Sequence, residues 1–146
     1  MSYIVASGYG YPKNICESVT AWFLNEFFPN HKIEIEIVNR GLKRDQVFGY
    51  CSVLGNKSRP RHFLIELDTY MDEDSYTKSL LHELSHVAQY IRGSLRYRYG
   101  KLCYQKKPVN NWEYGSQPHE IEAREEEDRL FEMYVNYKYR IDGVGA

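Results

Sequence analysis

Cysteine is scarce and odd in number: Cys16, Cys51 and Cys103 are the only three in 146 residues. Such a set is no disulfide framework, so the core must hold the fold and the expected setting is reducing. No apolar run approaches the roughly 20 residues that span a bilayer, so no membrane partner is expected. Residues 1–6 lack the basic and apolar regions of a signal peptide. The expectation is an intracellular, cytoplasmic protein. A charge excess is missing too, since 19 basic and 20 acidic residues leave a formal charge of -1. That excludes the strongly basic footprint of a dedicated nucleic-acid binder, though not a local basic patch. No repeat, low-complexity tract or linker divides the chain. Its length suits one domain with a real core and is too short for a separate cofactor lobe.

Tyrosine, by contrast, is plentiful. There are 14, several of them between Tyr97 and Tyr114. A tyrosine ring has an apolar body and a polar tip, which suits a half-wet surface or a cleft wall.

The apolar pattern predicts an α+β domain. Ile15, Val19, Trp22, Phe23 and Phe27 fall on one helical face over residues 12–28. Residues 31–38 alternate strictly, Ile33, Ile35 and Ile37 against Lys32, Glu34 and Glu36, which predicts a strand with one wet face. Further strands are expected over 46–54 and 61–68. Their short connections favour a three-stranded, largely antiparallel sheet. A second helix is predicted over 74–92, with Gly93 as its stop. Residues 93–117 read as a long functional loop with a short hairpin. A last helix starts at Pro118 and runs to about residue 140.

The second helix contains His82-Glu83-Leu84-Ser85-His86, an H-E-x-x-H match. Residues four apart lie one turn above each other, so both imidazoles can reach one metal ion. Glu83 is turned by about 100° from His82, within reach of a water that the metal activates. The chain's own composition gives an expected chance count of about 0.02 for such a match. With Leu84 at 0°, Leu80, Ala88 and Ile91 fall within about 40° of it, and both histidines near 160° on either side. The histidines therefore belong to a solvated surface or a cleft wall rather than to the apolar stripe. Two histidines alone make a weak site, so a third ligand is needed. Gln89 and Arg92 stand where one zincin family has its glycine and third histidine, which excludes that family. Downstream, Pro118-His119-Glu120-Ile121-Glu122-Ala123 offers His119, Glu120 and Glu122 in one turn.

The two strings together resemble the gluzincin metallopeptidases, in which H-E-x-x-H is followed by a helix carrying E-x-x-A. They are more distantly similar to ImmA/IrrE-type peptidases. A closer likeness is to small, mostly phage-borne zincin-like proteins that pair H-E-x-x-H-V-x-Q-Y with P-x-E-I-E-A. The likeness spans roughly residues 78–128. It implies a minimal zincin fold and a zinc-dependent peptidase acting on a polypeptide through a metal-activated water, in host cytoplasm if phage-encoded. It also implies zinc on His82, His86 and Glu120, with Glu83 as general base and then general acid. On the helical wheel Glu120 lies closer to the inward stripe than Glu122, which stays open as the alternative ligand. Glu120 is also well placed simply to favour the helix dipole. Those families often place Asp or Asn four residues after the ligand glutamate, to orient a ligand histidine. Here that position is Arg124, which cannot accept a hydrogen bond.

Other expectations concern the surroundings. Tyr114 and His119 are candidates for oxyanion or substrate contacts, with Tyr90, Tyr97 and Tyr104 in the same pool. Several of the loop tyrosines, Tyr97, Tyr99, Tyr104 and Tyr114, are expected to line the cleft. Residues 61–68 resemble the edge strand on which gluzincins lay a peptide. Residues 125–128, Glu-Glu-Glu-Asp, read as a solvated face. Two alternatives stand beside the peptidase: a zincin-like binding or regulatory protein, in which His119 or Cys103 closes the metal shell, and a DNA-associated protease of SprT-like type. The latter would use the basic segment 92–107. Oligomeric state is left open.

Overall fold

A computed structural model describes residues 2–42 and 48–141. Seven strands and three α-helices alternate along these residues in an α+β arrangement: β1 (Tyr3–Gly8), α1 (Lys13–Phe27), β2 (Glu34–Arg40), β3 (Gly49–Leu54), β4 (His62–Asp68), α2 (Glu73–Arg92), β5 (Leu95–Arg98), β6 (Lys101–Tyr104), β7 (Lys107–Pro108) and α3 (Pro118–Ile141). The helices fall where the apolar periodicity puts them. Asp72 caps α2 by accepting a hydrogen bond from the Ser75 amide, and Gly93 ends it.

The sheet differs from the expectation. It has four strands in the order β1-β2-β4-β3, and β1–β2 and β2–β4 are parallel. Only β3–β4 is an antiparallel hairpin. Alternation of dry and wet residues usually marks antiparallel strands, because parallel sheets are mostly covered on both faces. Here Ile35, Ile37, Phe63, Ile65 and Leu67 are buried on one face. The other face carries Glu34, Glu36, His62 and Glu66, which are half-buried or exposed. β1 escaped the sequence reading because its six residues bury little and it lies at an edge. Ile4 and Val5 followed by turn-forming Gly8 and Gly10 were the available signal. Residues 46 and 47 of the second expected strand lie outside the described residues.

The expected edge strand, residues 61–68, is interior, paired by β2 on one side and β3 on the other. The edge beside α2 is β3. The stretch expected as a loop is a small antiparallel sheet, β5-β6-β7, followed by two single 3₁₀ turns, Val109–Asn111 and Tyr114–Ser116. No helix among the described residues is long and apolar enough to cross a membrane.

Helix α2 lies at the centre, packed against the sheet, α1 and α3. Its start is pinned by one buried polar link. The Tyr76 hydroxyl donates to Asn39 Oδ1 at 2.5 Å, and Asn39 Nδ2 donates to the Ser7 carbonyl at 3.0 Å. One side chain thus joins α2, β2 and the end of β1. In a Tyr76→Phe variant the Asn39 carbonyl oxygen loses its donor in the core. Urea unfolding should show a loss of about 1–3 kcal/mol.

Candidate metal site

The sequence places His82 and His86 one turn apart on α2, and packing of α3 across α2 brings Glu120 to them. His82 Nε2 is 2.9 Å and His86 Nε2 3.1 Å from the same oxygen, Glu120 Oε1. One ligand atom from each residue lies within 4.8 Å of the other two, so this group can hold a metal ion. Glu122, the alternative ligand, is not in the group. Its carboxylate accepts from Gln89 Nε2 at 2.8 Å and from the Tyr104 hydroxyl at 2.6 Å.

The electrostatics favour positive charge at this point. Burial disfavours a charge on Glu120, but hydrogen bonds from His82 and His86 pull its carboxyl well below the usual range. Burial likewise opposes a charged His82, but Glu120, Glu127 and Glu83 outweigh it and hold the ring at about 10. Two ring protons thus face one carboxylate oxygen where a metal ion would sit, and binding the metal must expel them.

Both ligand rings are held from behind. His86 Nδ1 donates to Gln89 Oε1 at 2.8 Å, which leaves Nε2 to face the metal position. His82 Nδ1 lies 3.5 Å from Glu127 Oε1. Glu127 is seven residues after Glu120, two helical turns on, so it shares Glu120's face. It does the work that Arg124 cannot do. The expected solvated face at 125–128 is therefore corrected at Glu127, whose side chain is half-buried against His82. Arg124 itself donates to the Gly115 carbonyl and ties α3 to the 3₁₀ turn that carries Tyr114. The sequence assigns neither Gln89 nor Glu127 this orienting role. Their signals were positional: three residues after His86 and seven after Glu120.

Glu83 is buried at the cleft wall, where burial pushes its carboxyl up to about 7. It faces the edge strand at Gly49. A Cβ built on Gly49 would stand 3.1 Å from Glu83 Oε2 and 2.9 Å from the Glu66 carbonyl oxygen. Glycine is what lets the strand come this close. The cleft in front has a volume of about 540 Å³ and is lined by His82, Glu83, Glu120, Phe48, Met71 and Tyr114, among others.

Of the loop tyrosines, only Tyr114 lines this cleft. Tyr114 is 54% exposed, yet desolvation of its hydroxyl end at the cleft and the charges of Glu120 and Glu83 raise its pKa, so the hydroxyl keeps its proton. Tyr97 stacks on Tyr90 at 6.3 Å between ring centroids. Tyr99 is fully exposed. Tyr104 sits behind the site on Glu122. His119 does not line the cleft either. It is buried against His86 and Tyr104, with Nε2 3.6 Å from Glu120 Oε2. Burial and the nearby His86 push it down to about 4, so its ring is neutral. Among the described residues, no fourth His, Cys or carboxylate joins the group, and Cys103 Sγ instead faces the Lys101 carbonyl.

The chain matches no protein-family model, no curated protein and no solved structure.

A divalent ion at 100 times its Kd should stabilise the wild type by about 2.7 kcal/mol in thermal melts. Glu120→Ala should lose that shift. Gln89→Leu should bind metal about 10–100-fold more weakly in chelator competition, because nothing then fixes the His86 ring.

Proposed function

We propose that the protein is a zinc-dependent peptidase of the gluzincin type. The observation that carries this reading is the meeting of two groups at one cleft: the His82–His86–Glu120 triad and the buried carboxylate of Glu83 beside it. Two imidazoles and one carboxylate suit zinc, and three protein ligands leave a coordination position open. A closed, structural zinc needs a fourth protein ligand, and none joins the group among the described residues.

Zinc held there supplies a Lewis acid that lowers the pKa of a water from 15.7 towards roughly 7. The chain's own residues do the rest. Glu83 takes the proton of the attacking water on a carboxylate oxygen and delivers it to the leaving amine nitrogen. Its burial, closed in by Gly49, keeps bulk water from competing for that proton. Tyr114 presents a protonated hydroxyl to the cleft and can donate to the carbonyl oxygen as negative charge develops on it. Among the described residues β3 is paired by β4 alone, so its outer edge has free amides and carbonyls for an extended peptide. The substrate is therefore a polypeptide bound as an added strand. Gln89 and Glu127 hold the ligand rings in place from behind.

A Glu83→Gln variant should keep its zinc and lose about 10²–10⁴-fold in cleavage of a quenched-fluorescent peptide library. If the zinc-loaded wild type cleaves nothing in that library or in unfolded casein, the peptidase reading fails.

A further inference from the structure

We propose that the β5–β7 sheet, together with the β3–β4 loop, forms a binding surface for single-stranded nucleic acid. The chain is nearly neutral as a whole, but its charges are segregated. Residues 55–61 and 92–107 hold nine of the nineteen Lys and Arg and no Asp or Glu. Seven of the twenty acids lie instead between Glu120 and Glu132 on α3. The two basic segments are far apart in sequence, and the fold joins them. Lys57 Nζ of the β3–β4 loop sits 4.7 Å from the ring centroid of Tyr97 on β5. Arg92 has a structural duty over the Phe28 ring, and Arg61 is half-buried. The remaining seven, Lys57, Arg59, Arg96, Arg98, Lys101, Lys106 and Lys107, are exposed. Among the described residues none of them forms an ion pair. Strand alternation and pairing put Arg96, Arg98 and Lys101 on one face of the hairpin, where close cations repel one another and a polyanion relieves that repulsion.

Charge alone does not choose between nucleic acid and an acidic polypeptide. Tyr99 does. Arg98 pairs with Lys101, so Tyr99 and Gly100 form a two-residue turn, with φ of 52° and 78°. Two positive φ values suit Asn-Gly or Asp-Gly, and a bulky aromatic at the first position is strained. Tyr99 is fully exposed, so its ring gains no packing in return. A strained, unpacked aromatic ring between Arg98 and Lys101 contributes nothing to the fold. It is suited to stack on a base while the flanking cations meet phosphates. Lys106, the second residue of the neighbouring turn, also has a positive φ, 72°, and presents its ammonium to solvent.

The test is fluorescence anisotropy of the full chain with a labelled 20-nucleotide oligo-dT in 50 mM salt. Micromolar binding is expected. The slope of log K against log[salt] should be about −3 to −5, because each phosphate contact on a single strand contributes about −0.7. Arg96→Glu with Arg98→Glu and Lys101→Glu should abolish it. Tyr99→Asn should weaken binding about tenfold, while its urea midpoint stays equal or rises because the turn strain is relieved. A merely structural Tyr99 would make that variant less stable and leave binding unchanged. The proposal is overturned if oligo-dT does not bind at low salt. It is also overturned if poly-glutamate competes as well as oligo-dT with no effect of Tyr99→Asn, which assigns the surface to acidic polypeptides. Tighter binding of a duplex than of the single strand overturns it too. Every arm can be read on metal-free protein, so the outcome is independent of peptidase activity.

Discussion

One oxygen atom organises this protein. Glu120 Oε1 lies between the Nε2 atoms of His82 and His86. That contact ties α3 to α2 where the two helices cross, and the cleft opens beside it. A carboxylate this buried is tolerable only with strong donors around it. The two rings are such donors, and each is steadied by an acceptor behind it, Gln89 for His86 and Glu127 for His82. The contact is therefore part of a layered arrangement rather than a surface ion pair. The same arrangement presents two nitrogens and one oxygen to a cation.

The layers extend beyond the ligands. Gln89 donates to Glu122, and Tyr104 donates to the same carboxylate from β6. A continuous run of hydrogen bonds therefore links the small sheet to the His86 ring. This explains why α2 is buried almost all round in its second half although its wheel has one apolar stripe. The side away from the stripe is covered by α3 and the small sheet, and its polar groups satisfy one another. The open face of the main sheet takes no part. The segments that build the site are the edge strand β3, α2, the turn carrying Tyr114 and the start of α3.

Much of this was legible in the residues. The three helices, the hairpin of β3 and β4, and the two histidines one turn apart follow from spacing, while Glu120 is implied by the resemblance with Glu122 still open beside it. Where the structure departs from the sequence expectation, the causes are physical. Ile33, Ile35 and Ile37 alternate with charged residues, which reports one buried face and nothing about strand direction. β1 is short and half-covered, so its periodicity is weak. The number of tyrosines suggests a cleft lining, yet Tyr97, Tyr99 and Tyr104 each have a different neighbourhood. Composition says how many rings there are and not where a hairpin turns them.

The sequence by itself determined what one helix can present: His82 and His86 one turn apart, with Glu83 beside them and Gln89 on the next turn. Those relations are fixed by the helical repeat. The tertiary structure alone decided everything that crosses between elements: Glu120 over Glu122 as the partner of both rings, Glu127 in place of Arg124, Gly49 against Glu83, and Lys57 against Tyr97. These contacts depend on how α3, β3 and the small sheet pack on α2. Packing is set by the shape of the whole core, and no local spacing encodes it.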